Sequence, residues 1–126
     1  MVPKDLRYTK DHEWVRIEGD MATVGITEYA AEQLGDIVFV ELPEIGRTVA
    51  QFAAVGVIES VKAVSDLFAP LSGDVVESNA ELSAAPELLN SDPFGKGWML
   101  RITVADPAQV DSLLDNVAYE ALTAEG

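Results

Sequence analysis

The chain has 126 residues, 48% of them hydrophobic and 24% charged, which gives one globular core and little more. With 22 acidic residues against 8 basic ones the formal net charge is −14. Nucleic acid and anionic membranes are therefore poor partners, because both must be met by Lys and Arg, and basic protein surfaces fit better. There is no cysteine, so disulfides, thiolate metal sites and thiol nucleophiles are ruled out.

No apolar stretch approaches the roughly 20 residues of a membrane span. The segment Met1-Val2-Pro3-Lys4-Asp5-Leu6-Arg7 carries neither a signal core nor a transit pattern, so the expected location is cytoplasmic, with the mature form of an imported mitochondrial protein as the alternative.

In chain order, residues 6–18 read as a hairpin: Leu6-Arg7-Tyr8, a polar turn at Thr9-Lys10-Asp11, then Trp14-Val15-Arg16-Ile17. After the Glu18-Gly19-Asp20 turn, Met21 to Ile26 alternates as the next strand. Thr27 has the chemistry of an N-cap, with Glu28 in the first turn, and a short helix from Tyr29 to Leu34 is expected to stop at Gly35. Asp36 to Leu42 reads as a strand with Ile37 and Phe39 inside, followed by a turn at Pro43-Glu44-Ile45-Gly46 and a short Thr48-Val49 run.

Two apolar runs, Ala53 to Ile58 and Val64 to Ala69, are too short for ordinary helices and suit paired strands. Between them stands Glu59-Ser60-Val61-Lys62-Ala63, which places Lys62 at a hairpin tip with its amine in solvent. Turn chemistry follows at Leu71-Ser72-Gly73-Asp74, then Val75-Val76. Residues 77–96 are weakly patterned, with one helical turn at Pro86 to Leu89. Trp98 to Val104 is the last clear strand. Asp106-Pro107 opens a helix whose Val110, Leu113, Leu114 and Val117 would form a core-facing stripe, and a second short helix is expected through Leu122. These elements amount to a mainly β sandwich or flattened barrel with short helices, mostly C-terminal.

Taken singly, the polar residues are unremarkable. Lys62 reads as a solvated turn lysine, and Glu13 and Asp66 as solvated acids. His12, the one histidine, reads as a surface residue at a strand start. No metal-ligand set, Ser/His/Asp triad or phosphate loop is present, since Gly95-Lys96-Gly97 lacks the required spacing.

Taken together, several motifs in order carry a resemblance. They are Asp11-His12-Glu13-Trp14, Val24-Gly25-Ile26-Thr27, Leu34 to Pro43, Glu59-Ser60-Val61-Lys62-Ala63 with Ser65-Asp66, Pro70-Leu71-Ser72-Gly73 and Gly97-Trp98-Met99. The chain resembles the H-protein of the glycine cleavage system over almost its whole length. Biotin carriers place methionines around the modified lysine, and lipoyl domains of 2-oxo acid dehydrogenases place an aspartate before it; Val61 and Ala63 match neither.

The resemblance implies a lipoyl/biotinyl-type barrel-sandwich hybrid (hammerhead) forming a single domain over 1–126, with a lipoyl hairpin at about 53–69 and a helical C-terminal segment at about 107–124. It implies lipoate covalently attached to Lys62, with Glu59 guiding the lipoate-attaching enzymes, and Glu13 and Asp66 lining the cleft for the loaded arm. The implied role is that of a non-catalytic carrier. Its arm takes an aminomethyl group from glycine decarboxylase, a pyridoxal phosphate enzyme, passes it to a tetrahydrofolate-dependent aminomethyltransferase, and is reoxidised by dihydrolipoyl dehydrogenase. The alternatives are a lipoyl donor serving other lipoate-dependent enzymes, or an unlipoylated binding module. Asp11 and Gln33 depart from the family pattern, in which serine and histidine are usual, and both touch the expected cleft.

Overall fold

The computed structural model describes residues 2–125; Met1 and Gly126, the outer bounds of the expected domain, lie outside the described residues. Among the described residues nine strands form two sheets. The larger takes β1 (Arg7–Tyr8), β2 (Glu13–Glu18), β3 (Met21–Ile26), β9 (Leu100–Thr103), β8 (Gly73–Ser78) and β5 (Thr48–Val49), in that spatial order. The smaller takes β4 (Ile37–Glu41), β6 (Ala54–Ser60) and β7 (Val64–Phe68), with β6 in the middle. Every named pairing is antiparallel. The two sheets close on one apolar core that includes Val24, Ile26, Ile37, Val40, Ile58, Leu67, Leu71 and Ile102, making the mainly β barrel-sandwich the sequence leads one to expect.

The helices are short. α1 (Glu28–Leu34) starts where Thr27 accepts from the Ala30 N–H and stops at Gly35, whose φ of 78° is the left-handed conformation in which a side chain is costly. α2 (Glu81–Ala84) and α3 (Leu88–Ser91) occupy the weakly patterned stretch, where one helical turn was expected and two form. Leu82 and Leu89 anchor them to the core.

Four local expectations are corrected. Phe39 is 47% exposed, because a bulge between Ile37 and Phe39 shifts the alternation and gives the inward place to Val40. The turn after Leu71 ends at Ser72. Gly73 and Asp74 already belong to β8, where the Asp74 carboxylate accepts from the Thr48 hydroxyl at 2.7 Å and its N–H donates to Thr103 Oγ1 at 2.9 Å. The last strand is shorter than the Trp98–Val104 run, since Trp98 still closes a turn onto the Gly95 carbonyl. Finally, the C-terminal segment is no continuous stripe. Pro107–Ser112 is a 3-10 helix, capped by Asp106 through the Ala108 N–H, and α4 runs from Asn116 to Glu125. Between them Leu114 pairs with Tyr8 through two 2.8 Å backbone bonds, which breaks the helical phase and leaves Val117 exposed.

A second cluster, built on Leu6, Tyr8, Trp14 and Tyr119, covers the other face of the larger sheet. Trp14 is fully buried, donates its indole N–H to the Pro93 carbonyl at 2.8 Å, and lies flat on Gly25, its register partner. A Cβ at position 25 would stand 2.6 Å from two indole carbons. Gly25→Ala is therefore expected to push the indole off its floor and destabilise the fold by about 1–3 kcal/mol. Urea unfolding followed by tryptophan fluorescence checks this; an unchanged midpoint and spectrum would contradict it.

Candidate functional site

β6 and β7 pair from Ala54↔Phe68 to Glu59↔Val64, and Val61-Lys62-Ala63 form the tip. Ser60 shapes that tip. Its N–H donates to the Ala63 carbonyl at 2.8 Å, and its hydroxyl oxygen accepts from the N–H groups of Ala63 (3.0 Å) and Lys62 (3.3 Å). A short serine-closed loop of this kind leaves little freedom in the Lys62 backbone. Lys62 itself is exposed.

The tip does not stand alone. The Val61 N–H donates to the Asp36 carbonyl at 3.0 Å, which ties it to the connection between α1 and β4. The Lys62 side chain crosses Gly35, where an added Cβ would meet its Cε at 3.4 Å and its Nζ at 4.0 Å. Asn90 of α3 fixes this connection from the other side, donating to the Gly35 carbonyl at 2.8 Å and accepting from the Ile37 N–H at 2.9 Å. Lysine, glycine and asparagine thus form a stack from three distant parts of the chain. Sequence reasoning found Lys62 and saw Gly35 only as a helix end. It missed Asn90, which lies in the stretch without a pattern.

Glu59 is half-buried and shares one row of the smaller sheet with Phe39 and Val64. Asp66 is exposed, in the row Glu41, Val57, Asp66. Asp11 and Gln33 are exposed as well.

Glu13 is placed differently from the solvated acid its neighbours suggest. It is 2% exposed. Its carboxylate accepts from the Thr9 hydroxyl at 2.5 Å and from the Phe68 N–H at 3.3 Å, and its own N–H donates to Thr9 Oγ1 at 3.1 Å. The structure therefore brings Glu13 to the end of β7, two residues beyond Asp66, but the two acids have unlike surroundings. Burial pushes the Glu13 carboxyl up to about 8, against the opposing pull of its two hydrogen bonds and with a further push from Asp11.

His12 is half-buried with a φ of 70°, not a plain surface residue. Its Nδ1 lies 2.8 Å from the Tyr119 hydroxyl, which in turn is 2.7 Å from Thr27 Oγ1, and its ring packs 4.7 Å from that of Tyr29. Burial lowers its pKa although Asp11 opposes this, so the ring is a neutral tie between β2, α1 and α4. Beside Thr9, a cavity of about 230 Å³ is lined by Tyr8, Thr9, Lys10, Phe52, Leu113 and Leu114. Among the described residues no group of three or more His, Asp or Glu is arranged to hold a metal ion.

The Glu13 environment has a measurable consequence. Its folded-state pKa of about 8 lies above the ordinary 4.5, so the folded protein holds a proton the unfolded chain gives up. The stabilisation is complete below about 4.5 and falls as pH rises through about 8. The loss is on the order of a few kcal/mol at most. Glu13→Gln keeps the shape without the charge. It should flatten the decline in unfolding free energy between pH 5 and 8.5 and make the variant the more stable form at the alkaline end. Denaturant titrations of both proteins across that range measure it, and parallel curves would contradict it.

The family model described as glycine cleavage H-protein matches residues 6–126. A glycine cleavage system H protein of Symbiobacterium thermophilum is 57% identical over 125 residues, covering 99% of this chain and 98% of the relative. One from Caulobacter vibrioides is 60% identical over 116 residues, 92% and 96% of the two chains. The crystal structure of a glycine cleavage system H protein from Mycobacterium marinum superposes with a TM-score of 0.90 at 42% identity, over 98% of this chain and 99% of that one. The hairpin bearing Lys62, the barrel-sandwich behind it and these matches lead to one conclusion: the chain belongs to the glycine cleavage H-protein family.

Proposed function

We propose that this protein is the lipoyl carrier of glycine cleavage, with lipoate joined in an amide to Nζ of Lys62. The observation that supports it best is the clamped tip: an exposed lysine on a serine-closed turn whose backbone is tied to the Asp36 carbonyl and whose stem passes over Gly35. When bound, the lipoyl group would supply a cyclic disulfide whose S–S bond opens to take an aminomethyl cargo from glycine decarboxylase, and the dithiol left after a tetrahydrofolate-dependent aminomethyltransferase removes that cargo would be reoxidised by dihydrolipoyl dehydrogenase.

The chain's own residues hold and steer. A tether fixed at one end raises the effective concentration of its far end at each partner's active site, and the hydrogen bonds of Ser60, Val61 and Asn90 fix that end. No bond-making step falls to the protein in this reading. The same reading takes the chain as one lipoyl-bearing domain, because both sheets share one core, and places it in the cytoplasm.

Glu13 and Asp66 are assigned to the cargo. At the strand rise of about 3.3 Å per residue, Asp66 lies about 7 Å along β7 from Val64, the first strand residue after the tip, and Phe68, which donates to Glu13, about 13 Å. An amine cargo laid back along β7 meets the exposed carboxylate first and the buried one after it. An ammonium beside Glu13 favours its ionised form, so seating the cargo displaces the proton that burial holds there. A charge-assisted contact of this kind is worth about 1–3 kcal/mol.

Lys62→Arg tests the attachment. The exposed side chain contributes little to the fold, so the thermal midpoint should hold within a degree or so. Glycine-dependent CO2 release in the reconstituted system should vanish, because a guanidinium does not form this amide. Undiminished turnover would overturn the proposal.

The two acids are tested together. In the Glu13→Gln/Asp66→Asn variant, formaldehyde and ammonia should escape from pre-loaded carrier several-fold faster than from wild type when no transferase is present. Equal release would remove both acids from this role.

A further inference from the structure

Eight large hydrophobic side chains are exposed among the described residues, and four of them, Val38, Phe39, Val61 and Val64, gather at the Lys62 end of the smaller sheet. Their placement is ordered. Register puts Phe39, Glu59 and Val64 in one row across β4, β6 and β7, and Glu41, Val57 and Asp66 in the next row on the same face, further from the tip. The opposite face carries Val40, Ile58 and Leu67 into the core. The bulge at Ile37/Phe39 is what turns Phe39 outward, since unbroken alternation from buried Ile37 would bury it.

Charge is equally one-sided. Three carboxylates, Glu41, Glu59 and Asp66, share the face, and Lys62 is the one base at its end. The ion pair found among the described residues, Arg101 with Glu77 at 2.5 Å, belongs to the other sheet. An apolar centre with unpaired acids around it has the composition of a protein-binding surface, complementary to an apolar patch rimmed by Lys and Arg.

We infer that this outer face of β4, β6 and β7 is the docking surface for the enzyme that acylates Lys62, a partner presenting an apolar patch within a basic rim. The inference rests on the attachment proposed above. Partners that handle the far end of a long arm have no need to touch the sheet that carries it. Amide formation is different, because the reacting atoms must come within about 3–3.5 Å at Nζ itself. The lone pair of Nζ attacks the acyl carbon of an activated lipoyl donor, a mixed anhydride with a nucleotide phosphate. The C–N bond forms, the C–O bond to phosphate breaks, and Nζ gives up one proton. An enzyme active site held there needs about 800 Å² of surface on this chain to stand on. One side of the tip is already occupied by Gly35 and Asp36 and the inner face by the core, which leaves the outer face. A second copy of the chain is disfavoured as the occupant, because two such faces would set acids against acids.

The experiment uses lipoate-free protein, lipoic acid, ATP and a lipoate-attaching enzyme, with adduct formation followed by mass spectrometry. Phe39→Ser/Val64→Ser and, separately, Glu41→Lys should each lose about tenfold in kcat/KM, carried by KM. Ile45→Ser, an equally exposed apolar residue in the turn after β4, should stay near wild type. A lipoyl N-hydroxysuccinimide ester, which acylates lysine without docking, should modify Lys62 at the same rate in all four proteins. Enzymatic rates that are equal in all variants overturn the docking surface and leave the attachment standing. Failure of the enzyme to modify Lys62 in wild type overturns both. A dimer in sedimentation that dissociates in Phe39→Ser/Val64→Ser would assign the face to a second copy and overturn the inference.

Discussion

The functional end of this molecule depends on how the backbone of Gly35, Asp36 and Ile37 is held. Asn90 donates to the carbonyl of Gly35 and accepts from the N–H of Ile37, so one side chain secures both ends of the connection between α1 and β4. On that fixed backbone the Asp36 carbonyl receives the Val61 N–H, and the stem of Lys62 passes over Gly35. A hairpin tip joined to nothing would wander with its loop. Here the tip shares the position of a helix end and, through α3, of the core residue Leu89. The rigidity lies in the support, and the freedom is left to the lysine side chain.

Charge and burial divide the remaining work. Of the acids near the hairpin, Glu59, Glu41 and Asp66 lie on the outer face, where the proposed partner would meet them. Glu13 looks inward, where desolvation holds its proton and the Thr9 and Phe68 groups orient it. A buried neutral carboxyl can answer the arrival of a cation in a way a solvated one cannot, because its ionisation is still available to be driven. The neutral His12, tied to Tyr119 and Thr27, secures the start of the strand that carries Glu13.

Much of this was legible in the residues. Alternation set the strands, Thr27 and Gly35 marked the ends of α1, and the two apolar runs around Lys62 set the hairpin, because each of these signals is local. What escaped depends on contacts between distant segments. Nothing around Phe39 announces a bulge, yet the bulge decides that Phe39 faces solvent and Val40 the core. The apolar spacing from Val110 to Val117 is that of a helix, but pairing of Leu114 with Tyr8 overrides it. Asp11-His12-Glu13 reads as a solvated polar run, while the strand start it forms is covered by β7 on one side and Tyr119 on the other. Asn90 matters only because α3 happens to reach the α1–β4 connection, a fact of the tertiary structure alone.

Of the four lysines, Lys62 alone is proposed as the attachment point. Peptide mapping by mass spectrometry, on protein purified from lipoate-replete cells, tests this most directly. A single lipoyl adduct is expected on the peptide containing Lys62, with Lys4, Lys10 and Lys96 unmodified. An adduct on any of those three, or no adduct at all, would contradict it.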